Sequence, residues 1–114
     1  LLRWAHERHL FTLAICHGPA ALLAANEGGS FIYDGYKIAA FPDSVDKQTP
    51  MIGYMPGHMP WMFGEKLQEL GLEIVNSKAD ATCHVDRRLI SGASPKAANA
   101  FGRCAAETLL KDLC

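Results

Sequence analysis

The sequence predicts an α/β fold, a parallel sheet with helices packed on its faces. Three observations carry that expectation. Short apolar runs of strand length alternate with longer stretches at helical spacing. Glycine or proline marks most junctions between them. The first run, Phe11-Thr12-Leu13-Ala14-Ile15, is continuous rather than alternating, which suits a strand covered on both faces.

Taken in chain order, Leu1 to His9 reads as the end of a helix with Leu1, Leu2, Ala5 and Trp4 on its apolar side. The Phe11–Ile15 strand follows, then Cys16-His17-Gly18-Pro19, then Ala20-Ala21-Leu22-Leu23-Ala24-Ala25, a strong helix former ended by Gly28 and Gly29. Pro19 fits the first helical turn, where its missing N–H costs nothing. Tyr36 to Phe41 is a second strand, closed by Pro42-Asp43, and the proline- and glycine-rich stretch from Asp46 to Pro60 is an ordered loop. A helix from about Pro60 to Leu70 places Met62, Phe63, Leu67 and Leu70 on one face, with Gly71 as its cap. Leu72 to Val75 is a third strand. Cys83 to Val85 pairs with Leu89-Ile90 as a short hairpin. Ser94 caps a last helix, Lys96 to Lys111, with Pro95 at its first position and Ala97, Ala100, Phe101, Cys104, Ala105 and Leu109 facing inward. Internal repeats and low-complexity tracts are absent.

Composition narrows the function classes. The chain has 114 residues, enough for one domain or part of one, with 49% hydrophobic and 20% charged residues. Its net charge of -1, with both signs interspersed, argues against nucleic acid or an anionic membrane surface as a partner. No apolar run approaches the ~20 residues of a membrane span. Cys16, Cys83, Cys104 and Cys114 form no C-x-x-C pair, and their spacing fits free thiols in a reducing, cytoplasmic setting. The chain opens at Leu1 without an initiator Met, so Leu1 is expected to lie inside a longer gene product.

The chemistry is expected at the first turn. A cysteine between a strand and a helix sits at the carboxyl end of the strand, where open α/β sheets bind ligands. A sharp strained turn points its side chain outward. Gly18 is expected to relieve a close approach of helix and strand. The helix start offers N–H groups and a positive dipole end, predicting a lowered thiol pKa for Cys16. The N–H groups of His17 and Gly18 are candidate oxyanion donors. His17 is either the proton acceptor or a surface residue at the helix start. A histidine in the first role needs a carboxylate, for which Asp43 and Asp46 are the candidates.

Ala14-Ile15-Cys16-His17-Gly18-Pro19-Ala20-Ala21-Leu22-Leu23, Ala40-Phe41-Pro42-Asp43 with Asp46-Lys47-Gln48-Thr49-Pro50, and Ile52-Gly53-Tyr54-Met55-Pro56-Gly57-His58 resemble the HchA-type proteins. The likeness continues through Asp86-Arg87-Arg88-Leu89-Ile90-Ser91-Gly92 and the Ser94-Pro95 helix. That family is described as molecular chaperone, glyoxalase III and protein deglycase, within the PfpI-like superfamily. The resemblance implies a flavodoxin-like, class I glutamine amidotransferase-like sheet, of which residues 1–114 make the carboxyl-terminal part, incomplete by itself. It also implies a Cys16-His17-Asp46 triad, Asp46 being the aspartate directly before Lys47-Gln48-Thr49-Pro50. The implied chemistry is cofactor-free conversion of methylglyoxal and water to lactate through a hemithioacetal on the cysteine, or removal of early glycation adducts from protein side chains. Holdase activity toward unfolded clients and a homodimer are implied as well. A glutamate beside the cysteine, part of the oxyanion hole and a two-His-one-carboxylate metal site belong to the family's other half, so no metal or cofactor is assigned to these residues. The isolated segment is expected to be poorly stable and weakly active.

Other residues favour structural roles. His58 reads as a hydrogen-bonded turn histidine. Met51, Met55, Met59, Met62, Trp61 and Phe63 form an apolar cluster suited to core packing before client or dimer contact. Cys83-His84 lacks a third ligand at metal spacing. His6 and His9 suit a solvated helix end, Cys104 an inward helix face and Cys114 an incidental terminus. The alternatives to aldehyde chemistry are a chaperone without catalysis and, ranked last, a cysteine-dependent peptidase or amidase.

Overall fold

A computed structural model describes residues 1–48, 51 and 61–113, with residues 27–29 described by their backbone alone. The elements are α1 (Leu2–Glu7), β1 (Thr12–Ile15), a 3₁₀ helix (Gly18–Gly29), β2 (Lys37–Ile38), α2 (Asp43–Asp46), α3 (Phe63–Glu69), β3 (Glu73–Ile74), β4 (Cys83–Asp86), β5 (Leu89–Gly92), a 3₁₀ turn (Pro95–Ala97) and α4 (Ala98–Leu113). The fold is mixed α/β. Its sheets are not wholly parallel: β5 runs parallel to β1 on one side and antiparallel to β4 on the other, while β2 pairs parallel with β3. The antiparallel pair is the expected hairpin. Its Arg87-Arg88 turn is far too short for the crossover that parallel strands need, and Arg87 takes φ 55 to close it.

Strand parity assigns the faces. Ile90 and Gly92 on β5, with Ile15 beside Gly92 in register, face α4; an added Cβ at Gly92 would lie 3.0 Å from Ile15 Cγ1 and 3.2 Å from Phe101 Cδ1. Leu89 and Ser91 point the other way, into a core of Leu22, Ala25, Tyr33, Ile38, Phe63 and Leu67. Leu13, beside the fully buried Ile90, is 44% exposed. β1 is therefore not covered on both faces, because it is the edge of its sheet and α4 lies over β5. Leu1 is likewise exposed rather than on a packed helix face, as is half of Trp4.

The alanine-rich run after Cys16 winds as a 3₁₀ helix, not the expected α-helix. Its buried residues are Pro19, Leu22 and Ala25, a strict three-residue period that matches 3.0 residues per turn. Packing every third residue on the core overrides the α preference of alanine and leucine. β2 is shorter than the expected strand because the next amides leave the ladder. Ala39 N donates to Ser91 Oγ at 2.8 Å, Ala40 N to Asn76 Oδ1 at 3.0 Å, and Phe41 N to Cys16 O at 2.8 Å.

The segment after Phe41 forms a one-turn helix, α2, where the expected loop begins. α3 starts at Phe63, later than expected: Trp61 and Met62 precede the helix, Met62 as its extended N-cap at φ -97 and ψ 115, and Pro60 lies outside the described residues. Gly71 ends it at φ 103, and Leu72 beyond is buried. Ser94 caps the last helix as expected, its Oγ accepting from Lys96 N at 3.2 Å and donating to Asp80 O at 2.7 Å. Among the described residues no helix is long and apolar enough to cross a membrane.

Candidate active site

Cys16 continues the β1–β5 ladder by one bond, its N–H donating to Gly92 O at 2.8 Å. The chain then reverses sharply, with Cys16 at φ 62, a left-handed conformation rarely adopted by a residue with a Cβ. Its carbonyl accepts from Phe41 N at 2.8 Å. Both backbone groups are thus held by neighbours on two sides, and that double hold maintains the strained φ. The sharp turn expected from the sequence is present.

That turn swings the His17 ring back beside Cys16 although the two are adjacent in sequence. His17 Nδ1 lies 3.4 Å from Cys16 Sγ and His17 Nε2 lies 2.7 Å from Asp46 Oδ1. A carboxylate only accepts, so the neutral ring carries its proton on Nε2 and turns a bare Nδ1 to the sulfur. Phe41 stacks on the ring at 4.4 Å between centroids and 29° between planes, and Phe63 packs against it at 5.7 Å. Asp46 is 2% exposed, at the end of α2. Asp43, the other carboxylate considered, serves a different end: it accepts from Gly64 N at 3.1 Å and Glu65 N at 2.9 Å, tying down the amino end of α3. By holding α3, it holds Phe63 against the imidazole.

Two expectations fail at this turn. Cys16 was expected to have a lowered pKa; its surroundings raise it. Burial is the largest cause, the His17 N–H bonded to the sulfur opposes it, and the negative charge of Asp46 adds to the rise. The resting sulfur is a thiol. Gly18 was expected to relieve a close approach, yet an added Cβ would meet Ala14 Cβ at 3.6 Å, an ordinary contact. The tight approach is at Gly92 instead. Gly18 is exposed and opens the 3₁₀ helix.

The remaining sequence candidates scatter. His6 Nε2 lies 3.4 Å from the Tyr36 hydroxyl, and with His9 it lines a cavity of about 290 Å³ near Thr12, at the opposite end of β1 from Cys16. Phe63 is in the core as expected and Met62 is half-buried, whereas Met51 is 81% and Trp61 44% exposed. Met55, His58, Met59 and Cys114 lie outside the described residues. Cys83 and Cys104 are half-buried with their sulfurs 2.9 Å apart. Among the described residues no group of three His, Cys, Asp or Glu side chains is placed to hold a metal ion. Sequence reasoning missed Phe41 and Phe63 as walls of the imidazole site, having assigned one to a strand end and the other to a helix face.

No family model matches the chain. Curated proteins do. It is 50% identical over 109 residues to "Protein/nucleic acid deglycase HchA" of Escherichia coli O1:K1 / APEC, an alignment covering 96% of this chain and 38% of that protein. The same figures hold for "Protein/nucleic acid deglycase 1" of Escherichia coli strain K12. Among solved structures, the crystallographic structure of APC35852 superposes with a TM-score of 0.82 at 23% identity, covering 97% of this chain and 49% of that one. That likeness shows a shared fold. With half of its aligned positions identical, the chain is a relative of the HchA-type deglycases, across a segment that spans 38% of their length.

Proposed function

We propose that residues 1–114 form the nucleophile-bearing, carboxyl-terminal part of a PfpI-like α/β domain that processes reactive aldehydes and their adducts through Cys16. The observation that carries this reading is the contact chain from Cys16 Sγ through His17 to Asp46, built on a left-handed turn at the end of β1. Relatives bearing the deglycase name support the substrate class, free methylglyoxal or glycated protein side chains.

The resting thiol sets the order of events. Cys16 Sγ attacks the aldehyde carbon as its proton passes to His17 Nδ1, and Asp46 balances the positive ring. The new alkoxide faces the N–H groups of the turn, His17 and Gly18, and regains the proton from His17 to give a hemithioacetal. His17 is then neutral again and able to act as a base in the next step. With methylglyoxal that step moves hydrogen between the two oxidised carbons, and water releases lactate. With a glycated side chain it releases the amine, guanidine or thiol. Two phenylalanines keep the imidazole from rotating between these transfers. No residue of this chain is assigned to a cofactor.

Lactate formation from methylglyoxal without glutathione, measured for the complete gene product, tests the reading. Replacing Cys16→Ser is expected to lower the rate by orders of magnitude, because an alkoxide is far harder to form than a thiolate. Equal rates would end it. The exposed Met51 and Trp61 favour a second activity, binding of unfolded clients in the cytoplasm. That activity is expected to survive Cys16→Ala.

A further inference from the structure

A second pair of sulfurs lies outside the proposed chemistry. Cys83 on β4 and Cys104 on α4 are separated by 20 intervening residues, yet their Sγ atoms are 2.9 Å apart. A bond between them needs about 2.05 Å, a movement of roughly 1 Å or less. Both residues are partly exposed, so a small reagent reaches them. We propose that Cys83 and Cys104 are an oxidisable dithiol that closes to a disulfide by exchange with a low-molecular-weight disulfide, clamping α4 to the sheet.

The step balances as two exchanges. One protein thiolate attacks a sulfur of the small disulfide, forming a mixed disulfide and expelling one small thiol. The second protein sulfur then attacks the protein-side sulfur, expelling the other small thiol. The protein loses two hydrogens, and the small disulfide is reduced to two thiols. Cys83 lies within 3.8 Å of the Ala100 carbonyl, and burial together with its sulfur neighbour pushes its pKa up to about 11. Cys83 therefore rests as a thiol, and either sulfur of the pair can open the exchange.

The location gives the bridge a consequence. Cys83 pairs across β5 with Gly92, and Gly92 is also the register partner of Ile15 and the acceptor for Cys16 N–H. The dithiol thus stands two strands from the nucleophile turn, about 10 Å across the sheet. α4 already packs Phe101 against that same glycine. A covalent tie there holds the layer that supports Cys16.

The test is peptide mapping after incubation with glutathione disulfide, on the complete gene product. The expected result is a cross-linked peptide pair containing Cys83 and Cys104, a loss of two hydrogen masses, and full recovery with dithiothreitol. In the Cys83→Ser protein, Cys104 is expected to accumulate instead as the mixed disulfide with glutathione. The Cys104→Ser protein guards against misfolding of the first variant and is expected to gain glutathione at Cys83. Free alkylation of both cysteines after oxidation, or bridging of Cys16 to either one, would overturn the proposal.

Discussion

Two sulfur sites flank one glycine, and they are built differently. Cys16 meets an imidazole, a carboxylate behind it and two aromatic walls; Cys83 meets another thiol and a backbone carbonyl. Burial raises the pKa of both. The difference lies in what receives the proton. On the proposed mechanism the His17 ring nitrogen facing Cys16 takes the thiol proton during attack, whereas the contacts of Cys83 are a thiol and a backbone carbonyl. On that proposal, reactivity at Cys16 depends on a positioned acceptor rather than on a depressed pKa.

The strongest way to break that comparison is to remove the acceptor. His17→Ala is expected to lower turnover of methylglyoxal by about 10²–10⁴-fold, the range supplied by positioned proton transfer. It leaves Cys16 as an isolated, hard-to-ionise thiol. Residual activity should then climb with pH through and above 9.0, the ordinary thiol value, because only the ionised sulfur reacts without a base. Wild-type protein, carrying its own base, should be flatter there. Profiles of the same shape in the two proteins would show that His17 does not take the proton.

Asp46→Asn sharpens the same point at lower cost. The amide oxygen still accepts from Nε2, so the ring stays in place, but the charge that balances imidazolium is gone. A drop of about 10²-fold is expected, the low end for proton transfer, with little change in KM. A loss confined to stability, with kcat intact, would make Asp46 a packing residue.

How much of this was legible in the sequence follows from how local each signal is. The Cys16 turn was visible because an apolar run, a glycine and a helix-starting proline all lie within a few residues. Asp46, 29 positions from His17, was singled out only by resemblance; by residue chemistry alone Asp43 was an equal candidate. Its real role, holding the start of α3, depends on a tertiary contact across 21 residues. The 3₁₀ winding was hidden because alanine and leucine favour an α-helix by themselves, and only the core selects a three-residue period. The thiol pair was hidden for a like reason: Cys104 was correctly placed on an inward helix face, but the strand beneath it is not encoded in the helix.

Gly92 joins the two sulfur sites and offers a structural test of both. A methyl group there would press on Ile15 and Phe101 at 3.0–3.2 Å, so Gly92→Ala is expected to destabilise by about 1–3 kcal/mol, read as a lower urea midpoint. Gly18→Ala, where the nearest atom is at 3.6 Å, is expected to change that midpoint little, within about 0.5 kcal/mol. The reverse ranking would place the tight helix–strand approach at the turn after all.

The smallest expected effect separates the sites by pH alone. In the folded protein Cys83 holds its proton to about 11, against 9.0 ordinarily. Below 9.0 the thiol is protonated in folded and unfolded chains alike and contributes no slope. Between those values the unfolded chain loses the proton first and binds fewer protons than the native state, so stability falls as pH rises. Cys83→Ala removes this contribution, and its urea midpoint should decline less steeply over that window than the wild type's. Because the shift has Cys104 among its causes, Cys104→Ala should flatten the slope in part, leaving the share due to burial. If both variants kept the full alkaline slope, the two sulfurs would not be sensing each other, and their proximity would have no electrostatic consequence.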